Sequence, residues 1–167
     1  PNKRIDNMIS SDMDKNSAKW WQGSLPLLVI WLLSLIIFGF FQTFYPYHFF
    51  YQEQNQLFLW SWDYVESYLD GLGGLARLIG DFLTQFYYYL YAGAAILAVC
   101  ILAIGILLYR ICRNLRINRW IGLGLSLAVM GLTAVLHFST SYRLSSTVSI
   151  LGWMFLLWLA SLCRAYV

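Results

Sequence analysis

Residues 88–138, YYLYAGAAILAVCILAIGILLYRICRNLRINRWIGLGLSLAVMGLTAVLHF, decide the fold because they place four arginines between two long apolar segments. The arginines recur at every third position, as Arg110, Arg113, Arg116 and Arg119. Lysine and arginine beside a membrane span are retained on the cytoplasmic side. This stretch therefore predicts two spans joined by a cytoplasmic loop, and the loop sets the orientation of the rest of the chain.

The composition independently indicates an integral membrane protein. Hydrophobic residues make up 60% of the 167-residue chain, charged residues make up 11%, and the mean hydropathy is +0.60. A water-soluble domain carries about 25% charged residues, so this chain has too few polar side chains to cover a water-facing surface. The net charge of +3 comes from residues that flank the apolar segments, so we expect no nucleic-acid partner.

Four apolar segments are long enough to cross a bilayer as helices. Roughly 20 helical residues cross ~30 Å of hydrocarbon, and continuous apolar segments argue against a barrel. We predict an all-α integral membrane protein with about four transmembrane helices, at residues 24–44, 88–109, 120–138 and 148–163. Residues 1–22 then form a cytoplasmic polar N-terminus, and 23–167 form a single transmembrane domain with an outer loop at 45–87 and a cytoplasmic loop at 110–119.

The distribution of charge predicts that both ends are cytoplasmic, an N-in/C-in topology. In this orientation two basic residues, Arg77 and Arg143, lie outside. The cytoplasmic side holds the other nine, which are Lys3, Arg4, Lys15, Lys19, Arg110, Arg113, Arg116, Arg119 and Arg164. The first span is expected to be an uncleaved anchor, because it is too long for a signal peptide and no small-residue cleavage site follows it.

The outer loop is too long for a turn and too apolar for a disordered linker. A glycine-rich break at residues 71–74 divides it into two pieces, for which we predict two amphipathic interfacial helices. The second piece carries Arg77 and Asp81 four residues apart, a spacing that allows an ion pair. On its other face we expect an apolar stripe, formed by Leu75, Leu78, Ile79, Phe82, Leu83 and Phe86.

The outer loop is also acidic, and two interpretations of its five acids stay open. In the first, these residues, Glu53, Asp63, Glu66, Asp70 and Asp81, only keep the polar helix faces solvated. In the second, one or two of them form a site, since transfer of sugars from lipid carriers needs a carboxylate near the lipid headgroup. Glu53 and Asp63 are the candidate catalytic residues. The candidate ligand-binding residues are Gln52, Gln54, Gln56, Trp60, Trp62, Tyr64 and Arg143.

Other chemistry-bearing residues give weaker signals. His48 and His137 both fall on the outer side, but without a metal-ligand spacing we predict no metal site, and the cofactor is unknown. None of the three cysteines lies in the outer loop, so no disulfide framework is expected. Small residues are expected to bring helices together, in the second span at Gly93, Ala94, Ala95, Ala98 and Gly105 and in the third at Gly122, Gly124, Ser126, Ala128 and Gly131.

A family resemblance is carried by residues 47–58 (YHFFYQEQNQLF), 63–64 (DY), 73–76 (GGLA) and 82–86 (FLTQF). These stretches resemble a family of uncharacterised bacterial polytopic membrane proteins, a domain of unknown function. The resemblance implies a location in the bacterial inner membrane and a longer protein of which this chain is an N-terminal part. No activity comes with it. The order of one span, a long outer loop with juxtamembrane helices, and further spans is also similar to C-type membrane glycosyltransferases, although the loop has no Asp-Asp or Asp-x-Asp pair.

Three functions follow as hypotheses. The first is an inner-membrane protein whose acidic, aromatic outer loop recognises a lipid-linked or envelope-associated ligand. The second is part of a glycosyltransferase-like enzyme that uses an outer-loop carboxylate. The third is a structural subunit of a membrane complex. The expected partners are the lipid bilayer and either a lipid-linked saccharide or another membrane protein.

Overall fold

A computed structural model describes residues 24–45, 61–69, 71, 73–89, 91–139 and 142–165. Every regular element in these residues is helical, and four of the helices are long and apolar enough to span a membrane. The protein is therefore all-α, as predicted. The long helices are α1 (Ser24–Phe44), α4 (Ala92–Asn114), α5 (Arg119–Leu136) and α6 (Leu144–Ala165). Two shorter helices, α2 (Trp62–Leu69) and α3 (Gly74–Thr84), precede a 3-10 helix at Gln85–Tyr88.

Helix α4 lies at the centre of the bundle and contacts both α5 and α6. Its residues Ile101 and Ile104 are fully buried, and Ile101 packs in a core with residues of α1 and α5. Ser34 of α1 donates a hydrogen bond to the backbone oxygen of Ala98, at 3.0 Å. A polar bond of this kind between two spanning helices fixes their register where the surrounding core is apolar.

Two glycines bring the spanning helices close together, as the sequence predicted. A β-carbon on Gly105 of α4 would lie 2.9 Å from Met130 Cγ of α5 and 3.4 Å from Ile30 Cγ2 of α1. A β-carbon on Gly122 of α5 would lie 3.0 Å from Cys112 Cβ of α4. Gly124 and Gly131 behave differently, because a β-carbon there would have no described atom within 4 Å. These two glycines make no close contact with the described helices, and their expected role in close helix approach stays a prediction.

The arginine-rich loop between α4 and α5 is a tight turn. Arg116 has a φ of 59°, the left-handed conformation that glycine usually supplies after a helix. Arg116 N donates to Arg113 O at 3.1 Å, and Ile117 N donates to Cys112 O at 2.9 Å. These two bonds satisfy carbonyls at the end of α4. Asn118 then caps α5 by accepting a hydrogen bond from Trp120 N. Of the four arginines only Arg116 lies in this short connection, because Arg110 and Arg113 belong to the end of α4 and Arg119 begins α5.

Two of the helices begin at positions that the hydropathy pattern did not give. Helix α6 begins at Leu144, four residues before the expected start, and its first turns contain buried Ser145 and Thr147. Ser149 Oγ donates to Ser145 O of the same helix, which is how a serine-rich segment stays helical in an apolar environment. Helix α4 begins at Ala92, after Tyr91 in a left-handed conformation with φ 74°. Tyr88, the expected first residue of this span, belongs to the 3-10 helix.

Candidate functional site

Helix α3 packs with its small and polar face toward the protein, and Leu75 and Ile79 of its apolar stripe face outward, whereas Leu83 packs against the core. Gly80, Asp81 and Thr84 are buried, whereas Leu75 and Ile79 are 62% and 40% exposed. A helix on a water-soluble protein shows the opposite arrangement. For a helix in contact with lipid, leucine is as stable facing the acyl chains as it is facing the protein. Small residues on the other face allow the helix to pack closely against its neighbours. The interpretation of Asp81 as part of a solvated face is therefore wrong, because its exposed fraction is only 7%.

The contact between α3 and α6 depends on Gly80. A β-carbon on Gly80 would lie 2.5 Å from Ser145 Cα, 2.7 Å from Ser145 N and 2.7 Å from Ser145 Cβ. Real β-carbons do not approach other atoms so closely, so only glycine allows the backbones of α3 and α6 to meet here. This contact positions the next residue, Asp81, at the end of the bundle where α6 begins. We call this end the α3 end.

Tyr68 is the centre of a cluster that joins α2 to α3 and includes the buried Asp81. Tyr68 Oη of α2 donates to Asp81 Oδ2 at 2.7 Å, and the hydroxyls of Tyr64 and Tyr68 are 2.9 Å apart. The guanidinium of Arg77 lies over the ring of Tyr68, 5.3 Å from its centre. The cation therefore stacks on Tyr68, and Tyr68 supplies the hydrogen bond to Asp81. We call these four residues, Tyr64, Tyr68, Arg77 and Asp81, the Tyr–Asp cluster.

The electrostatics of the cluster keep Tyr68 protonated. Burial, the hydrogen bond with Tyr64 and the hydrogen bond to Asp81 all raise the pKa of Tyr68 above its usual range. Burial of an ionisable group disfavours its charged form, and an adjacent carboxylate disfavours a second negative charge. Tyr68 is therefore a hydrogen-bond donor to Asp81 at any physiological pH. A carboxylate with a fixed donor and a nearby cation can bind hydroxyl, amide or phosphate groups of a ligand.

An apolar groove of about 360 Å³ opens beside the cluster, between α3 and α6. Helix α3 contributes Gly73, Leu75 and Ala76 to it, and α6 contributes residues from Val148 to Leu156. Gly152 of α6 adds no side chain there, so the backbone forms part of the floor. The volume lies within the range of small-molecule sites, and the lining suits a hydrocarbon chain.

A second polar contact lies at the α3 end, between α5 and α6. His137 is 2% exposed, and its Nε2 atom is 2.8 Å from Thr147 Oγ1. The ring of Tyr142 meets the imidazole edge to face, with the ring centres 4.8 Å apart. In the described part of the chain no three histidine, cysteine, aspartate or glutamate side chains are grouped to hold a metal ion. His137 therefore joins α5 to α6 through Thr147.

The structure brings one predicted site residue, Tyr64, into the cluster, and the other three described candidates are Trp62, Asp63 and Arg143. Tyr64 is half-buried and belongs to the Tyr–Asp cluster, whereas Trp62 and Asp63 are exposed in the first turn of α2. Arg143 is exposed, directly before α6. The remaining candidates, and His48 with them, lie outside the described residues; they are Gln52, Glu53, Gln54, Gln56 and Trp60.

Sequence reasoning missed Tyr68 and Asp81 as a pair, although a signal for Asp81 was present. Gly80, Asp81 and Thr84 fall on one face of a helix, opposite the apolar stripe. In a membrane protein such a face of small and polar residues is the one that packs on the neighbouring helix. Tyr68 had no comparable signal, because aromatic residues are common throughout this loop.

Comparison with known proteins identifies the family without adding a function. No curated protein and no solved structure matches the chain, so a similarity to glycosyltransferases is not shown. The sequence profile described as "Family of unknown function (DUF6057)" matches residues 19–166. This match confirms the resemblance to an uncharacterised family, and it extends far beyond the outer loop that carried the resemblance. The chain belongs to this family of unknown function.

Proposed function

We propose that the α3 end of the bundle recognises a lipid-linked or envelope-associated ligand at the outer face of a bacterial inner membrane. The observation that carries the proposal is the composition of one short helix. Helix α3 supplies a wall of the apolar groove through Gly73, Leu75 and Ala76, and it also supplies Arg77 and Asp81 of the Tyr–Asp cluster. A ligand with a hydrocarbon chain and a polar head needs both kinds of surface at one place.

Two arginines at the α3 end can bind an anionic head group. Arg77 and Arg143 are both exposed, and they are the two basic residues of the predicted outer side. Arginine presents several N–H donors in a planar fork, which suits phosphate and carboxylate oxygens. Asp81 would accept hydrogen bonds from sugar hydroxyls, and the hydroxyls of Tyr64 and Tyr68 would donate hydrogen bonds to them or accept hydrogen bonds from them. A hydrocarbon chain linked through phosphate to a saccharide combines all three features.

Several predicted residues belong to the proposal without being part of the described cluster. Trp62 and Asp63 stand on α2, the helix that supplies Tyr64 and Tyr68. Glu53 stays a predicted carboxylate of the outer loop. The enzymatic alternative, a glycosyltransferase-like protein, stays a prediction that depends on Glu53 and Asp63 as catalytic residues.

The proposal is tested by native mass spectrometry of the protein in nanodiscs cut directly from its own membrane. We expect a bound lipid with a phosphate or saccharide head, and we expect Tyr68→Phe and Asp81→Asn to reduce its occupancy at least several-fold. Glu66→Gln is the matched control, since Glu66 is an exposed acid on α2 outside the cluster. Equal occupancy in all four proteins would contradict the proposal, provided that their melting temperatures show folded protein.

A structural role in a membrane complex is a second candidate, favoured by the surface of α5 and α6. Gly124 and Gly131 of α5 face outward, and Trp153 of α6 is 68% exposed. Small residues on an outer face allow another transmembrane helix to approach closely. In the same experiment this role predicts a stoichiometric protein partner that is lost in Gly124→Leu and kept in Asp81→Asn.

A further inference from the structure

We infer that α3 is a re-entrant half-span: it lies inside the lipid leaflet at which α6 begins, rises along α6 to the membrane boundary, and presents its apolar stripe to acyl chains. This placement goes beyond the ligand proposal and does not depend on it. It also differs from the expectation of an interfacial helix that lies flat on the surface.

The register of α3 against α6 carries the first step. Gly80 contacts Ser145, whereas Gly73 lines the groove together with Gly152. Gly73 and Gly80 are 80 − 73 = seven residues apart, and the α6 residues that line the groove, from Val148 to Leu156, follow Ser145 in sequence, so the two helices run in opposite directions. Seven helical residues rise by about 10 Å. Helix α3 therefore runs antiparallel alongside α6 for that distance instead of crossing it.

The charged ends of α6 set the depth. Arg143 and Arg164 are separated by 164 − 143 = 21 positions, and at ~1.5 Å per residue this is about 31 Å, close to the thickness of the hydrocarbon core. With both arginines at the boundaries, Ser145 lies near one of them and Gly152 lies about 13 Å inside. The beginning of α3, beside Gly152, is then well within the hydrocarbon layer.

The burial pattern of α3 agrees with this depth. The most exposed large hydrophobic side chain of α3 is Leu75 at 62%, and it lies in the first turn, at the deep end. Ile79, one turn higher, is 40% exposed, and the buried residues of the helix are Gly74, Gly80, Asp81 and Thr84. Exposed leucine and isoleucine are stable against acyl chains and unfavourable in water.

The described residues at the start of α3 form three backbone hydrogen bonds among themselves. Gly71 N donates to Tyr68 O, Gly74 N donates to Gly71 O, and Arg77 N donates to Gly73 O. Their lengths are 3.4, 3.0 and 3.1 Å. Lipid offers no partners for free backbone groups, so a turn inside a leaflet must satisfy them internally. Gly73, with a φ of 80°, supplies the left-handed residue that this turn requires.

The charges of α3 are compatible with the same placement. Asp81 follows Gly80 and therefore lies at the level of Ser145, near the boundary, where Tyr68 bonds it. Arg77 lies one turn deeper, but its long side chain stacks on the Tyr68 ring, whose hydroxyl reaches Asp81. Arginine near a boundary extends its charged end toward water in this way.

Site-directed spin labelling of the full chain in liposomes tests the inference. The three cysteines, Cys100, Cys112 and Cys163, are first replaced by alanine. Nitroxides are then placed one at a time at Leu75, Ile79, Trp153 and Ser139. Trp153 is the lipid-facing control on α6, and Ser139 is the exposed control in the turn after α5. The ratio of collision rates with oxygen and with a water-soluble nickel complex reports depth.

We expect the ratio at Leu75 to approach that at Trp153 and to exceed that at Ser139 at least tenfold, with Ile79 in between. Equal, shallow depths at Leu75 and Ile79 would mean a helix lying flat in the interface and would overturn the inference. Nickel accessibility at Leu75 equal to that at Ser139 would place α3 in water and would overturn it too. The measurement needs no ligand, so it stands apart from the test of ligand recognition.

Discussion

Gly80 of α3 and Ser145 of α6 meet backbone to backbone, so that a β-carbon on Gly80 would lie 2.5 Å from Ser145 Cα. This contact holds the only acid buried in the described part of the chain, Asp81, at the α3 end. The groove, the Tyr–Asp cluster and the proposed depth of α3 all depend on it.

The first prediction concerns Gly80 itself. Gly80→Ala should lower the free energy of unfolding by about 1–3 kcal/mol, because the new methyl group displaces backbone and not a flexible side chain. Gly124→Ala is the control, since a β-carbon there has open space around it. That change should be neutral or stabilising by up to ~1 kcal/mol through helix propensity. Thermal unfolding in detergent measures both, and equal losses in the two variants would contradict the contact.

The second prediction concerns pH and the hydrogen bond between Tyr68 and Asp81. Folding raises the pKa of Tyr68, so the stabilisation is complete below the pKa of an unfolded tyrosine, about 10, and is lost as the pH rises above it. Tyr68→Phe should cost about 1–2 kcal/mol at pH 7. The difference in unfolding free energy between the wild type and this variant should shrink above about pH 10. A difference that stays constant from pH 7 to 11 would argue against the raised pKa.

The third prediction concerns Gly105, which makes room for Met130. Met130→Ala should cost about 2–5 kcal/mol because it leaves a cavity in a fully buried site. Gly105→Ala alone should cost about 1–3 kcal/mol through overpacking. The double variant should lose clearly less than the sum of the two, because the added methyl group enters the space that Met130 vacates. Thermal unfolding of all four proteins measures this coupling, and strictly additive losses would show that the two side chains do not compete for space.

The fourth prediction concerns orientation in the membrane. The connection between α4 and α5, with Arg116 in the turn and the other three arginines on the flanking helix ends, should face the cytoplasm. The α3 end should face outward. In a cysteine-free protein in intact cells, a cysteine at Arg116 should resist a membrane-impermeant maleimide, and a cysteine at Ser139 should react. Both should react after the membrane is opened. If the cysteine at position 116 reacted in intact cells, the predicted topology would be wrong and the α4–α5 connection would face outward.

The number and nature of the spans could be predicted from the sequence because they depend on summed hydropathy and on flanking charge. The first span was predicted at 24–44, and α1 is Ser24–Phe44. The start of α6 was placed too late, because hydropathy penalises Ser145, Ser146 and Thr147 although two of them are buried in the helix. Serine and threonine can bond the carbonyls of their own helix, and a hydropathy average does not include that bond.

The site could be predicted only in outline, for a different physical reason. The amphipathic pattern of α3 gave a helix, but periodicity alone does not say which face meets the protein. In water the face with Leu75 and Ile79 would be buried, whereas beside lipid the face with Gly80 and Asp81 is buried. The pairing of Asp81 with Tyr68, 13 residues away, depends on how α2 returns onto α3. The spacing of residues within one helix does not show how that helix packs onto another.

The most direct test of ligand recognition is photo-crosslinking from within the groove. A benzophenone amino acid is placed at Ala76, which lines the groove, and at Leu132, which is 61% exposed on α5. After illumination in the native membrane, the attached lipids are identified by mass. We predict that Ala76 captures one lipid with a phosphate or saccharide head, enriched at least tenfold over Leu132, and that Tyr68→Phe reduces this capture. Capture of the same bulk phospholipids in the same proportions at both positions would contradict a ligand site at the α3 end.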